Sequence, residues 1–135
     1  MSQVINYLAL DIGKKRIGVA RANSLARLAE PLKVLENNAE FKNHLDTIIL
    51  EHGADVVVVG LPRSLDGNET EQSEYTRQFV SDNFQNKLVK FQDETLSSVE
   101  AEKRMKSYGL QNRPDMLDAV AACIILEDYI NYESN

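Results

Sequence analysis

The chain has 135 residues and a formal net charge of −6; 43% of its residues are hydrophobic and 27% are charged. This length and composition predict one folded domain over residues 1–135 and exclude an intrinsically disordered chain. The acidic charge excludes a protein that coats nucleic acid through bulk electrostatics. It is compatible with an enzyme that uses acidic residues.

The apolar runs of the sequence are short. The longest, from Ala119 to Leu126, is far shorter than a bilayer span, and no basic segment leads into an apolar core near Met1. We therefore expect a cytoplasmic protein with no membrane partner. The single cysteine, Cys123, lies inside this apolar run and leaves no intrachain disulfide.

The first third of the chain predicts an antiparallel meander followed by a helix. Apolar, β-prone segments predict strands over residues 4–12, 17–20 and 32–35. Their connections are short, so neighbouring strands should run antiparallel. From Phe41 onward, apolar residues recur at helical spacing and predict an amphipathic helix that ends near Gly53.

Beyond this helix, strands and helices alternate, which is typical of an α/β fold with parallel strands. Residues 56–59 are an unbroken run of valine, as in a strand buried on both faces of a sheet. After a turn at Asp66-Gly67, Asn68 and Glu71 have the spacing of a capping box and predict a second helix.

The last third of the chain predicts one strand and two helices. The strand covers residues 88–92, and Ser97 with Glu100 has capping-box spacing for the next helix. A loop over residues 109–114 should precede a buried final helix from about Asp115 to Tyr129, with Asp115 as its cap.

Three acids, Asp11, Glu94 and Asp118, each stand at the end of an apolar segment. If the fold brings these ends together, the carboxylates make an oxygen-ligand site for a hard divalent cation such as Mg²⁺ or Mn²⁺. Each acid alone has a simpler explanation. Asp11 can belong to a turn, Glu94 to a solvated strand end, and Asp118 to the first turn of a helix, where the helix dipole stabilises an acid.

Five motifs taken together in this order resemble one known family. The resemblance covers about residues 7–130 and is to the YqgF/RuvX family of pre-16S ribosomal RNA nucleases and Holliday-junction-resolvase-like proteins. The motifs are Ala9-Leu10-Asp11-Ile12-Gly13, Arg16-Ile17-Gly18-Val19-Ala20, Val59-Gly60-Leu61-Pro62 with Asp66-Gly67, Asp93-Glu94-Thr95 through Ala101, and Asp118-Ala119-Val120-Ala121-Ala122 with Ile124-Ile125-Leu126.

The resemblance implies a ribonuclease-H-like fold, in which the meander and the parallel strands form one mixed five-stranded sheet flanked by helices. It also implies that Asp11, Glu94 and Asp118 are catalytic acids that bind Mg²⁺ or Mn²⁺. The implied activity is hydrolysis of phosphodiester bonds in structured nucleic acid. Processing of the 5′ end of pre-16S rRNA is favoured over resolution of a DNA junction.

Three basic residues, Lys14, Arg16 and Arg63, lie within a few positions of these motifs, and we expect them to contact the nucleic-acid backbone. The chain departs from the family at Thr95, where members often carry an arginine after the Asp-Glu pair. A phosphate contact at that position is therefore absent here or supplied by another residue.

Two other function classes stay open from the sequence. Sugar-kinase, actin and chaperone ATPases also begin with a strand, an Asp-x-Gly turn and a hairpin, but they need two such lobes and 135 residues supply one. A non-catalytic protein that binds nucleic acid or a ribosome precursor would need the same surfaces. The chain is expected to be a monomer or a homodimer, and junction resolution would require the dimer.

Overall fold

A mixed five-stranded sheet forms the centre of the protein. The computed structural model describes residues 3–64, 66, 68–94 and 98–133. The strands are β1 (Asn6–Ile12), β2 (Arg16–Asn23), β3 (Glu30–Glu36), β4 (Val56–Pro62) and β5 (Val89–Glu94). Their order across the sheet is β3-β2-β1-β4-β5.

The pairing of the strands confirms the predicted topology. The first three strands form an antiparallel meander, and β4 and β5 add to β1 in parallel. The turn after β1 is tight, since the Gly13 amide donates to the Arg16 carbonyl at 2.9 Å. The parallel strands β1, β4 and β5 therefore end at one edge of the sheet, the edge where α/β proteins place ligands.

The helices cover both faces of the sheet. They are α1 (Phe41–His52), α2 (Glu71–Asn83), α3 (Ser98–Ser107) and α4 (Leu117–Glu133), and a short 3₁₀ turn (Pro114–Met116) precedes α4. On one face, Leu10 and Val59 belong to a core with side chains of α1 and α2. On the other face, Ala9 and Val58 pack with α4, whose residues 119–126 are all buried.

Two predicted helix caps are wrong. Helix α2 is capped by Thr70, whose hydroxyl accepts from the Ser73 amide at 3.0 Å while the Ser73 hydroxyl accepts from the Thr70 amide at 2.8 Å. Serine at this position replaces the usual glutamate of a capping box, so the pair was missed. Asp115 lies in the 3₁₀ turn and receives two hydrogen bonds from the Arg113 guanidinium instead of capping α4.

Other predicted features fall on positions beyond those described. Ser97, the expected first residue of the capping box before α3, and Gly67 of the turn after β4 lie outside the described residues. Over the described ranges, none of the helices combines the length and apolar character that crossing a membrane requires.

Candidate active site

Asp11 and Glu94 lie on the same face of the sheet. Side chains along a strand alternate between faces, so Asp11 shares the face of Ala9, which packs against α4. Val58 on β4 belongs to that face and pairs with Lys90 on β5. Glu94 follows Lys90 by four positions and so shares this face. Both acids therefore stand under α4, at the edge where the parallel strands end.

Helix α4 brings Asp118 to the same edge because β2 has a glycine where the helix crosses it. A Cβ atom on Gly18 would lie 1.9 Å from the main-chain oxygen of Asp118. Gly18 is also the β-sheet partner of Asp11. The first turn of α4 thus rests directly on the backbone beside Asp11, in a contact that any larger residue would block.

Gly60 provides the corresponding space on β4. A Cβ atom there would lie 2.4 Å from Cδ1 of Ile125 and 3.2 Å from Oε2 of Glu94. The missing side chain leaves room both for the α4 side chain and for the Glu94 carboxylate. The two strand glycines therefore set the distance of α4 from the sheet and the position of the acids beneath it.

The three carboxylates interact electrostatically. Burial raises the pKa of Asp11 from 3.8 to about 8, and the charges of Glu94 and Asp118 add to the effect. Burial also raises the pKa of Glu94, and the charge of Asp118 contributes. The charge of Asp118 thus opposes ionisation of Glu94, and the charges of both oppose ionisation of Asp11, as expected for carboxylates that lie close together.

The Arg16 guanidinium contacts this group of three carboxylates. Its Nε atom donates to Oδ2 of Asp118 at 3.2 Å, and the two side chains are 65% and 33% exposed. The pair is open to solvent, so it contributes little to stability and its guanidinium can change partners.

The donor set fits a hard divalent cation, because all three acids offer carboxylate oxygen and the raised pKa values of Asp11 and Glu94 indicate that positive charge would be favourable there. Within the part of the chain that the structure describes, no three His, Cys, Asp or Glu side chains are already arranged to hold a metal ion. Asp11, Glu94 and Asp118 therefore approach one another at this sheet edge without forming a coordination shell.

The other two predicted basic residues lie in different surroundings. Lys14 is exposed in the turn after β1, with Nζ 5.8 Å from the centre of the Tyr75 ring. Arg63 is 20% exposed and its guanidinium is already bonded, through Nε to Asp93 at 2.9 Å and through Nη1 to Glu69 at 3.0 Å. Lys14 therefore lies over an aromatic ring at the surface, whereas Arg63 is engaged by two carboxylates.

Glu69 is a residue that sequence reasoning missed. Its carboxylate pairs with Arg63 and with Arg77, and it accepts a hydrogen bond from the Ser73 hydroxyl. Through Arg63 it ties the segment after β4 to Asp93, the neighbour of Glu94. No local pattern joins residues this far apart, so only the fold shows the contact.

Two amides that fix the turn after Asp11 were also missed. Asn37 donates through Nδ2 to the Gly13 carbonyl at 2.9 Å, and Gln72 donates through Nε2 to the Ile12 carbonyl at 3.1 Å. Both bonds hold backbone directly after Asp11 and cross from other elements. Amide side chains of this kind are common in loops, so their types alone gave no signal.

Sequence comparisons place the chain among curated proteins. It is 45% identical to a protein of Paraburkholderia phymatum over 92% of this chain and 83% of the relative, and 34% identical to a protein of Sulfurihydrogenibium sp. over 92% and 88%. Both carry the name "Putative pre-16S rRNA nuclease".

Structural comparisons show the fold. The Fowlpox virus resolvase in complex with Holliday junction DNA superposes with a TM-score of 0.59 at 11% identity, covering 97% of this chain and all of that one. The RuvC protein of Thermus thermophilus, in complex with a Holliday junction substrate, gives 0.55 at 10% identity and covers 97% and 96%. The fold is therefore ribonuclease-H-like, as the resemblance implied.

A sequence model of one family, described as "RuvX: Holliday junction resolvase", matches residues 5–132. The match includes all three acids and both strand glycines, and it agrees with the identity to the curated relatives. The chain belongs to the RuvX family.

Proposed function

We propose that this protein is a nuclease that uses Mg²⁺ or Mn²⁺ to hydrolyse phosphodiester bonds of structured RNA, with the 5′ end of pre-16S rRNA as its substrate in the cytoplasm. The observation that carries the chemistry is the convergence of Asp11, Glu94 and Asp118 at one sheet edge, where their charges interact. The names of the relatives supply the substrate class.

In this proposal Asp11, Glu94 and Asp118 hold the cation, which when bound supplies Lewis-acid stabilisation of the phosphate and activation of water. Asp11 must give up its proton before it can serve as a ligand, because its pKa is raised to about 8. Lys14 and Arg16 contact backbone phosphates beside the scissile bond. Arg63 acts on the site through its two carboxylate partners.

The test is cleavage of a labelled fragment that spans the 5′ end of pre-16S rRNA, by the purified protein with Mg²⁺ or Mn²⁺. We expect cleavage by the natural protein and a loss of at least about 100-fold in Asp11→Asn and Glu94→Gln, since each removes a ligand charge. Full activity in either variant would contradict the proposal. Tight RNA binding without cleavage would indicate a non-catalytic binding protein instead.

A second candidate function is cleavage of four-way DNA junctions. It is favoured by the description of the family and by the two structures of the same fold that are complexes with a Holliday junction. Symmetric cleavage of a junction needs two active sites, so this function requires a homodimer. Junction cleavage by a species of twice the monomer mass in light scattering would support it, and a monomer that cleaves only RNA would reject it.

A further inference from the structure

A groove of about 690 Å³ lies beside the acidic site, between the edge strand β3 and the 3₁₀ turn before α4. Asp118 and Arg16 line the groove, so it is continuous with the site. Neither the sequence motifs nor the proposed cleavage chemistry uses its other residues.

Two arginines line the groove in a chain that is acidic overall. They are Arg16 and Arg113, whose side chains are 65% and 59% exposed. Arg16 pairs with Asp118 and Arg113 with Asp115. Lys33 also borders the groove, but it is the strand partner of Val19, so its side chain lies on the α1 face of the sheet.

The two arginines suit a polyanion that meets them one at a time. Exposed ion pairs contribute little to stability, so both guanidiniums can exchange a carboxylate for a phosphate. Acids also line the groove, among them Glu36 and Asp115. The net charge of the groove therefore does not attract a polyanion. Binding must instead come from contacts between individual phosphates and individual basic side chains.

The remaining lining is apolar, with side chains of Val34, Met116 and Leu117. Leu117 is 43% exposed although it begins a buried helix. A paired duplex presents phosphate and sugar to a protein surface and would leave these side chains unused. An unpaired nucleotide brings a base as well as a phosphate, and the groove volume lies in the range of pockets that enclose ligands of nucleotide size.

We propose that this groove binds one unpaired nucleotide of the RNA substrate, with its phosphate at Arg113 and its base against the apolar side chains. The inference rests on the proposed nuclease function and deepens it. It explains how an acidic protein selects structured RNA, since the cleaved bond would lie beside a bulge or a single-stranded junction and not within a continuous duplex.

The test is binding in EDTA, where the cation is removed, measured by fluorescence anisotropy across a series of salt concentrations. Three labelled RNA hairpins serve as probes: one with a single bulged nucleotide, one with an abasic bulge, and one fully paired. The variant is Arg113→Gln. The matched control is Lys42→Ala, an exposed lysine on α1 at the opposite face of the sheet.

We expect the bulged hairpin to bind at least about fivefold more tightly than the other two, in keeping with readout of an unpaired base. In Arg113→Gln, the slope of log K against log salt should fall by about 0.7 for the lost phosphate contact. Lys42→Ala should leave both quantities unchanged. Arg113 is exposed, so its variant should keep the unfolding temperature of the natural protein.

Equal binding of the bulged and abasic hairpins, no measurable binding, or an equal effect of Lys42→Ala would overturn the inference. Cleavage of the pre-16S fragment, measured on the same preparations, separates the two proposals. Cleavage without a preference for the bulged hairpin would contradict nucleotide binding in the groove but not the nuclease function. A bulge preference that depends on Arg113, without cleavage by the natural protein, would reject the nuclease and keep the groove.

Discussion

Asp11 is the residue at which stability and function are most directly opposed. It is held under α4 with Glu94 and Asp118 nearby, and its pKa is raised from 3.8 to about 8. Between these values the folded protein binds a proton that the unfolded chain releases. The free energy of unfolding therefore falls as the pH rises through this window.

We expect Asp11→Asn to stabilise the metal-free protein because the amide needs no proton to be neutral. At pH 8 the gain should be about 1–2 kcal/mol, as is common when a functional charge is removed. The gain should shrink toward pH 4, where Asp11 is neutral in the folded state. Urea unfolding in EDTA at both pH values checks this, and a variant less stable than the natural protein at pH 8 would contradict it.

At the scale of elements, the position of α4 depends on two glycines in the sheet. Gly18 lies against main-chain atoms of Asp118, which cannot move without the helix. Gly60 lies against the end of the Ile125 side chain, which can adopt another rotamer. An added Cβ atom at Gly18 would therefore have to displace the helix, whereas one at Gly60 would have to displace only a side chain.

We expect Gly18→Ala to lower the free energy of unfolding by about 3 kcal/mol and Gly60→Ala by about 1 kcal/mol, because overpacking against backbone is the more costly. Both should reduce cleavage, the first by displacing Asp118 and the second by crowding the Glu94 carboxylate. Thermal unfolding and cleavage rates check the pair. Equal losses of stability would show that the contact of α4 with Gly18 is softer than the structure indicates.

The ion pairs of Arg63 join the segment after β4 to the end of β5. The sequence suggested that Arg63 contacts nucleic acid. Its bonds to Asp93 and Glu69 instead favour a role in which Arg63 positions Glu94, the neighbour of Asp93.

We therefore expect Arg63→Gln to weaken Mn²⁺ binding about tenfold, as loss of a supporting partner often does. The salt dependence of RNA binding should stay unchanged. Calorimetry with Mn²⁺ and anisotropy in EDTA separate the two roles. Unchanged Mn²⁺ affinity with a slope smaller by about 0.9 would show a direct contact of Arg63 with a duplex phosphate.

The topology of the whole sheet can be predicted from the sequence because the spacing of apolar residues along the chain reflects which side chains are buried. The valine run of β4 and the short connections of the meander are local patterns, and each has one simple arrangement in a sheet. Helix ends were harder, since Thr70 and Ser73 form a cap by an unusual pair of residues. The same reasoning failed at Asp115, where a nearby arginine competes for the carboxylate.

The candidate site was predictable in part. The sequence singles out Asp11, Glu94 and Asp118 because an acid at the edge of an apolar run needs an explanation. The roles of Gly18 and Glu69 were not predictable, because a glycine in a strand does not reveal what packs on it and an ion pair between distant segments leaves no local pattern. Contacts of this kind depend on the assembled fold.

Calorimetry of Mn²⁺ binding tests whether Asp11, Glu94 and Asp118 act as one cation site. The protein is compared with Asp11→Asn, Glu94→Gln and Asp118→Asn, and with Asp82→Asn on α2 as the control. Each site variant should lose at least about tenfold in Mn²⁺ affinity, while the control keeps it. Site variants that bind Mn²⁺ as tightly as the natural protein would show that these three acids do not hold the cation.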